Sequence, residues 1–418
     1  MAHHAPTVKP ADDPAFKLPT SLSGVTVPVL IGGLAAIVVG WAVATFGNGT
    51  KVGMSAYLTA FTYGLTLALG CLFFVMIQHL VRAGWSVVVR RVAELYMVML
   101  VPLAILFLPI AGSLIFGGGS LYVWNDPGYA AEHHLPADIW RTKLSYLNTP
   151  FFLGRAVLYF VAWIAMAVFF YRGSTEQDET GQLKATERMQ YWAGPAVMAF
   201  ALITSFAAFD WVMSLAPMWF STMFGVYLFA GSILAAHCLI TVTSFGMQKA
   251  GAMRDEVTVE HYHDLGKLIC GFTLFWTYIS FSQYLLIWYG NIPEETEWIY
   301  HRQIGTWGVL SVVLIFFHWL LPFMGTMAMA VRRRPWAVTA WAGYLLVMHF
   351  LDVYWAIMPE AKAGAGTAVN VLGVVGTVIC TLGVAAMMFG LAMKVAEGVK
   401  LVPVRDPRLP ESLAFENV

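Results

Sequence analysis

Residues 263–298, HDLGKLICGFTLFWTYISFSQYLLIWYGNIPEETEW, decide how the chain is read. The segment opens on Asp264 and Lys267, runs apolar and aromatic from 268 to 289, and closes on Glu294, Glu295 and Glu297. At about 1.5 Å per residue such a run crosses a hydrocarbon core of about 30 Å. It predicts a transmembrane helix. Inside it lies a polar and aromatic band, Tyr278, Ser280, Ser282, Gln283 and Tyr284, which lipid does not tolerate on an exposed face without hydrogen-bond partners.

The rest of the chain follows the same pattern. Across 418 residues, 59% hydrophobic content, 11% charged content and a mean hydropathy of +0.69 place it among polytopic membrane proteins. A net charge of zero gives no electrostatic case for nucleic acid as a partner. Cys71, Cys238, Cys270 and Cys380 are scattered through apolar runs with no CxxC or CxxCH spacing. That usage supports neither an iron-sulfur centre, nor c-type haem, nor structural zinc.

Apolar runs at 25–46, 57–81, 92–116, 150–171, 192–215, 219–245, 268–289, 304–331, 336–358 and 367–395 predict an all-α integral membrane protein of about ten spanning helices. Pro102 and Pro109 predict a kink in the third. Residues 1–23 read as a polar, proline-rich extended arm, and 396–418 as a tail. A cleaved signal peptide is the competing reading of the first run, since Ala42, Val43 and Ala44 have a small-x-small look. The run is long for that, and Asp12 and Asp13 spoil the leader. With both termini in the cytoplasm, eighteen Lys and Arg fall on that side and six on the other. The positive-inside rule favours this orientation, which puts 117–149 and 291–297 in the periplasm.

A faint repeat is present. Asp210 precedes Pro217 by seven residues and Asp352 precedes Pro359 by seven, each at the end of a run. Related bundles and chance both account for it, because Asp and Pro favour helix ends.

Ionisable and polar groups inside an apolar bundle are the functional candidates: Arg155, Asp210, His237, Gln283, Tyr284, His318, His349 and Asp352. His349 and Asp352 are three apart and share a helix face. They fit a proton relay or a buried pair that only fixes packing. Arg155 and Asp210 match in depth and predict a salt bridge between neighbouring helices. His79, His237, His318 and His349 are too few and too uneven in depth for bis-histidine haem. His3, His4, His133, His134, His261, His263 and His301 read as solvated or interfacial, and Arg332 to Arg334 as a topology anchor compatible with anionic lipid. Tyr278, Gln283, Tyr284 and Trp288 are candidates for lining a quinone site.

Several long segments carry a resemblance: WSVVVRRVAE (85–94), YLNTPFFLGRAVLYFVAW (146–163), FDWVMSLAPMWFSTMFGVYLFAGS (209–232), LGKL (265–268), FTLFWTYISFSQYLLIWYGNIPEET (272–296) and HFLDVYWAIMP (349–359). In this order they resemble the F subunit of alternative complex III, a bacterial quinol-oxidising assembly, which is distantly related to polysulfide-reductase membrane subunits. The resemblance implies two related four-helix bundles, here 54–215 and 219–358, flanked by helices at 24–46 and 367–395 in the bacterial inner membrane. It implies a subunit without its own redox cofactor, which scaffolds the complex and contributes a proton path. Quinol, haem c and iron-sulfur clusters then belong to partners: a multihaem cytochrome c, an iron-sulfur protein, a paralogous quinol-binding membrane subunit and small lipid-anchored subunits, with lipids and a terminal oxidase nearby. Because the paralogue faces the iron-sulfur protein, the resemblance weighs against a quinone on this chain. A stand-alone secondary transporter and a purely structural partner are the rival readings.

Overall fold

The computed structural model describes residues 9–10, 12–117, 121–361 and 370–417. His3, His4, Lys362 and the start of the last apolar run at 367 lie outside them. The described chain is helical throughout its core, and nine of its helices are long and apolar enough to cross a membrane. The helices are α1 (Thr26–Asn48), α2 (Thr50–Leu80), α3 (Val87–Phe116), α4 (Ala137–Tyr146), α5 (Thr149–Thr180) and α6 (Leu183–Trp211). They continue with α7 (Met223–Ala250), α8 (Val259–Gly290), α9 (Pro293–His301), α10 (Gly305–Met327), α11 (Pro335–Ile357) and α12 (Val371–Ala396). The short α4 and α9 lie at the helix ends. The decisive stretch, α8, is a single 32-residue helix. It is outside the nine only because Trp, Tyr, Thr, Ser and Gln dilute its apolar run.

Helix α2 is the hub, buried along nearly its whole length. Small residues permit this. Gly70 lies directly against the Ser232 carbonyl of α7, and a Cβ on Gly64 would come within 2.6 Å of Val384 on α12. The outermost helices of the sequence, α1 and α12, pack against each other. Gly33 and Gly40 on α1 face Gly383 and Gly376 on α12, and Gly390, at the same seven-residue spacing, meets the Leu30 and Thr26 backbone, so that the two backbones touch.

Prolines and polar residues shape the other helices. Helix α3 is interrupted at Val98 and Met99 and again at Phe107, just before Pro102 and Pro109, which withdraw backbone donors. Helix α10 changes to a π-helix over Leu314–Leu320. Pro322 has no N–H to offer the carbonyl four residues back, which is that of His318. The sequence reading ends the fourth apolar run at 171 and starts the fifth at 192, but α5 and α6 continue past both limits. They turn at Gly181 in left-handed φ, and Gln177 Nε2 ties the hairpin by donating to Thr186 at 2.6 Å. Polar side chains that leave the membrane keep helical backbone when they bond one another.

Among the described residues, neither 12–23 nor 396–417 stands free of the bundle. Asp13 caps a short 3-10 turn at Pro14–Phe16, and Phe16 is buried. Lys9 Nζ sits 2.7 Å from Asp255 and 2.8 Å from Glu256. Its hydrogen bond to Asp255, then that to Glu256, hold the ammonium above its ordinary pKa. In the tail, Leu401 N donates to Phe16 O at 2.7 Å and Ser412 Oγ donates to Trp85 O at 2.7 Å. The described N-terminal residues therefore meet the α7–α8 turn, and the tail packs beside them against Phe16, Trp85 and the start of α8, where Ser412 Oγ lies 3.4 Å from His261 Nε2.

Some residues counted as loop cations are buried. Arg90 reaches Asp406 at 2.5 Å and Arg91 reaches Asp178 at 2.5 Å, with Glu94 between them. Setting aside the buried Arg90, Arg91, Arg155 and Arg302 leaves sixteen cations against four, so the asymmetry stands. Arg333 pairs with Glu260, and Arg332 packs over Gly266 rather than reaching outward. His261 and His263, read from sequence as solvated or interfacial, are buried. Thr258 N donates to His261 Nδ1 at 3.0 Å in a capping box that starts α8.

Topology gives a first prediction. A reporter appended to the C-terminus and one inserted at Gln182 report the same side, and one at Gly128 reports the other. Gln182 suits an insertion because it is exposed in the turn between α5 and α6. Opposite sides for the first two would break the ten-helix arrangement.

Candidate functional site

Five helices bring polar side chains together inside the bundle. Asp352 on α11 is 3% exposed. Its Oδ1 accepts from the Tyr227 hydroxyl of α7, and its Oδ2 accepts from Trp276 Nε1 of α8 at 3.0 Å. No cation lies in ion-pair range of this carboxyl among the described residues. The Trp276 ring also packs against His318, with ring centroids 4.0 Å apart, inside the π segment of α10. His349, one turn before Asp352, contacts Thr66 Oγ1 of α2 through Nε2 at 2.8 Å. Gly231 on α7 makes room for both side chains, since a Cβ there would lie 3.1 Å from His349 and 3.5 Å from Asp352.

This geometry changes the sequence reading in one respect. His349 and Asp352 share a face but do not bond each other; each is held by residues from other helices. Among the described residues, neither nitrogen of His318 has a hydrogen-bond partner, nor has His349 Nδ1. A site with both a protonatable carboxyl and uncommitted imidazole nitrogens can give and take protons. His237 stands apart. Its Nδ1 bonds the Ile233 carbonyl at 2.7 Å and its ring stacks on Phe272. No hydrogen bond joins it to the Asp352 group among the described residues.

Asp210 has the opposite surroundings. Arg155 Nε lies 2.6 Å from its Oδ2 and Nη2 lies 2.9 Å from its Oδ1, the pair that depth matching predicts. Tyr159 donates to Oδ2 at 2.6 Å, and Arg155 Nη1 donates to Tyr146 O at 3.0 Å. The guanidinium also lies 3.8 Å from the Tyr146 ring centroid and 4.2 Å from that of Phe151. All three guanidinium nitrogens and both carboxylate oxygens are bonded, which is the character of a lock between α5 and α6.

The proposed quinone residues point in different directions. Gln283 is buried on the stripe that also contains Trp276, Ile279 and Ile287, whereas Tyr278 and Trp288 are 66% and 62% exposed on the outer face. Tyr284 accepts from Gln303 at 3.3 Å. The serines of the band need no neighbouring helix. Ser280 donates to Trp276 O at 2.8 Å and Ser282 to Ile279 O at 3.0 Å, so the backbone of α8 satisfies them.

Arg302, which the sequence reading leaves in a loop, is a buried cap. It donates to the Ala356 carbonyl at 3.0 Å and to that of Trp355 at 3.3 Å at the end of α11, pairs with Glu360 at 3.0 Å, and stacks 3.5 Å from the Trp298 ring centroid. Nothing local in the sequence marks it, because the α11-end partners lie 53, 54 and 58 residues away.

No family model matches the chain, and a search of curated proteins returns no match.

Proposed function

We propose that this chain is a membrane subunit of a respiratory quinol-oxidising assembly of the alternative complex III type, without a redox cofactor of its own. It scaffolds that assembly in the bacterial inner membrane with both termini cytoplasmic, and it carries a proton path through Asp352. The assignment to that assembly rests on the sequence resemblance. The proton path rests on one observation: a buried carboxyl held, among the described residues, by the neutral donors Tyr227 and Trp276, with unbonded nitrogens of His318 and His349 close by. Membrane interiors retain such groups at a cost, and proton relays are among the functions that explain them.

The test is Asp352→Asn, which keeps the shape and one acceptor for Trp276 Nε1 and turns a donor toward the Tyr227 oxygen, but cannot take up or release a proton. In the assembled complex it is expected to leave quinol oxidation in detergent near the parent rate and to cut proton movement in vesicles several-fold. Unchanged proton movement in an assembled variant would remove Asp352 from the path.

A stand-alone secondary transporter is the second reading, favoured by the interruptions of α3 and α10 and by the position of His318 within one of them. Isolation from the native membrane separates the two. Copurification with a multihaem cytochrome c and an iron-sulfur protein supports the first, and a chain that purifies alone and moves solute in vesicles supports the second.

A further inference from the structure

A cavity of about 400 Å³ lies between α4 and the turn that follows α6. Ile139 and Lys143 of α4 line it together with Phe209, Met213, Pro217 and Trp219. Its volume is in the range of sites that bury small ligands. Because α5 begins at Thr149 and α6 ends at Trp211, this space sits where spanning helices meet the membrane surface.

One charge breaks the apolar lining. The Lys143 ammonium is half-buried and forms no ion pair among the described residues; its contact is the Phe220 ring, 5.3 Å from ring centroid to Nζ. Asp138 lies on the same short helix, exposed and unpaired with it, and Arg141 is exposed beside it. Ser214 offers little to a ligand, since its hydroxyl already donates to the Asp210 carbonyl. An apolar chamber with an unpaired cation at headgroup depth is complementary to an amphiphile that has an anionic head and a hydrocarbon tail.

We infer that this cavity holds one anionic phospholipid, with its phosphate at Lys143 and part of an acyl chain against Ile139, Phe209 and Met213. The inference is independent of the proton path, because none of these residues touches Asp352, His318 or His349. The bound lipid fastens α4 to the end of α6.

The test compares phosphatidylglycerol with phosphatidylcholine of the same chains, and with inorganic phosphate, on delipidated protein in detergent. Native mass spectrometry and thermal unfolding are the readouts. One phosphatidylglycerol is expected to be retained and to raise the melting temperature more than either control. Lys143→Gln is expected to weaken retention roughly five- to tenfold, and Lys143→Arg to restore it. Met213→Trp, which fills the chamber, is expected to abolish retention; Lys143→Gln decides alone if that variant does not fold. Equal binding of phosphatidylcholine, equal protection by inorganic phosphate, or full retention by Lys143→Gln would each overturn the assignment.

Discussion

Gly40→Ala is expected to lower the melting temperature, although alanine favours a helix over glycine by about 1 kcal/mol. The sign is set by contact with α12. A Cβ at Gly40 lands against the backbone nitrogen of Cys380 and 2.6 Å from the Gly376 carbonyl, and backbone cannot rotate away as a side chain can. Gly376 and Gly383 make the reciprocal approach, with Cβ positions 2.5 Å from Ala44 N and 2.7 Å from Ile37 N. Overpacking of this kind costs about 1–3 kcal/mol or more, so it exceeds the propensity gain. Leucine at the same position is expected to separate α1 from α12 outright. Gly32 is the matched control: it lies on the same helix and a Cβ there meets nothing within 4 Å. Gly32→Ala is therefore expected to be neutral or slightly stabilising. If Gly40→Ala melts no lower than Gly32→Ala, close backbone contact is not what joins these helices.

The seven-residue glycine spacing behind that prediction stands openly in the sequence at Gly33 and Gly40 and at Gly376, Gly383 and Gly390, yet hydropathy alone does not reveal it. Helix existence is legible because an apolar run must be satisfied within its own backbone. Helix length is less so. Beyond 171 the charged and polar residues of α5 look like loop until Asp178 finds Arg91 and Gln177 finds Thr186. The Arg155 and Asp210 pair is legible because two adjacent helices place opposite charges at one depth. The surroundings of Asp352 are not, since Tyr227, Trp276 and Thr66 come from three other helices and only packing brings them in. The π segment is intermediate: Pro322 predicts a lost hydrogen bond at His318, but not that the helix widens there.

The same contrast between the two aspartates gives the largest single-site effect. Arg155→Met is expected to cost about 3–5 kcal/mol, because it leaves the Asp210 carboxylate, 0% exposed, without its cation and with two of its hydrogen bonds gone. The stacking of the guanidinium on Tyr146 and Phe151 goes with them. Adding Asp210→Leu should recover most of the loss, since an apolar pair of similar volume avoids the desolvation that the ion pair must overcome. The Tyr159 hydroxyl would then lack its acceptor, at about 1–3 kcal/mol. The triple variant with Tyr159→Phe is therefore the clean comparison. Thermal unfolding of the single, double and triple variants measures the coupling, and proton movement by the triple variant in the assembled complex assigns the role. A stable triple variant that still moves protons makes Arg155 and Asp210 a lock between α5 and α6. A stable triple variant that has lost proton movement puts them on the path with Asp352, and an Arg155→Met variant as stable as the parent would mean that the ion pair holds neither helix.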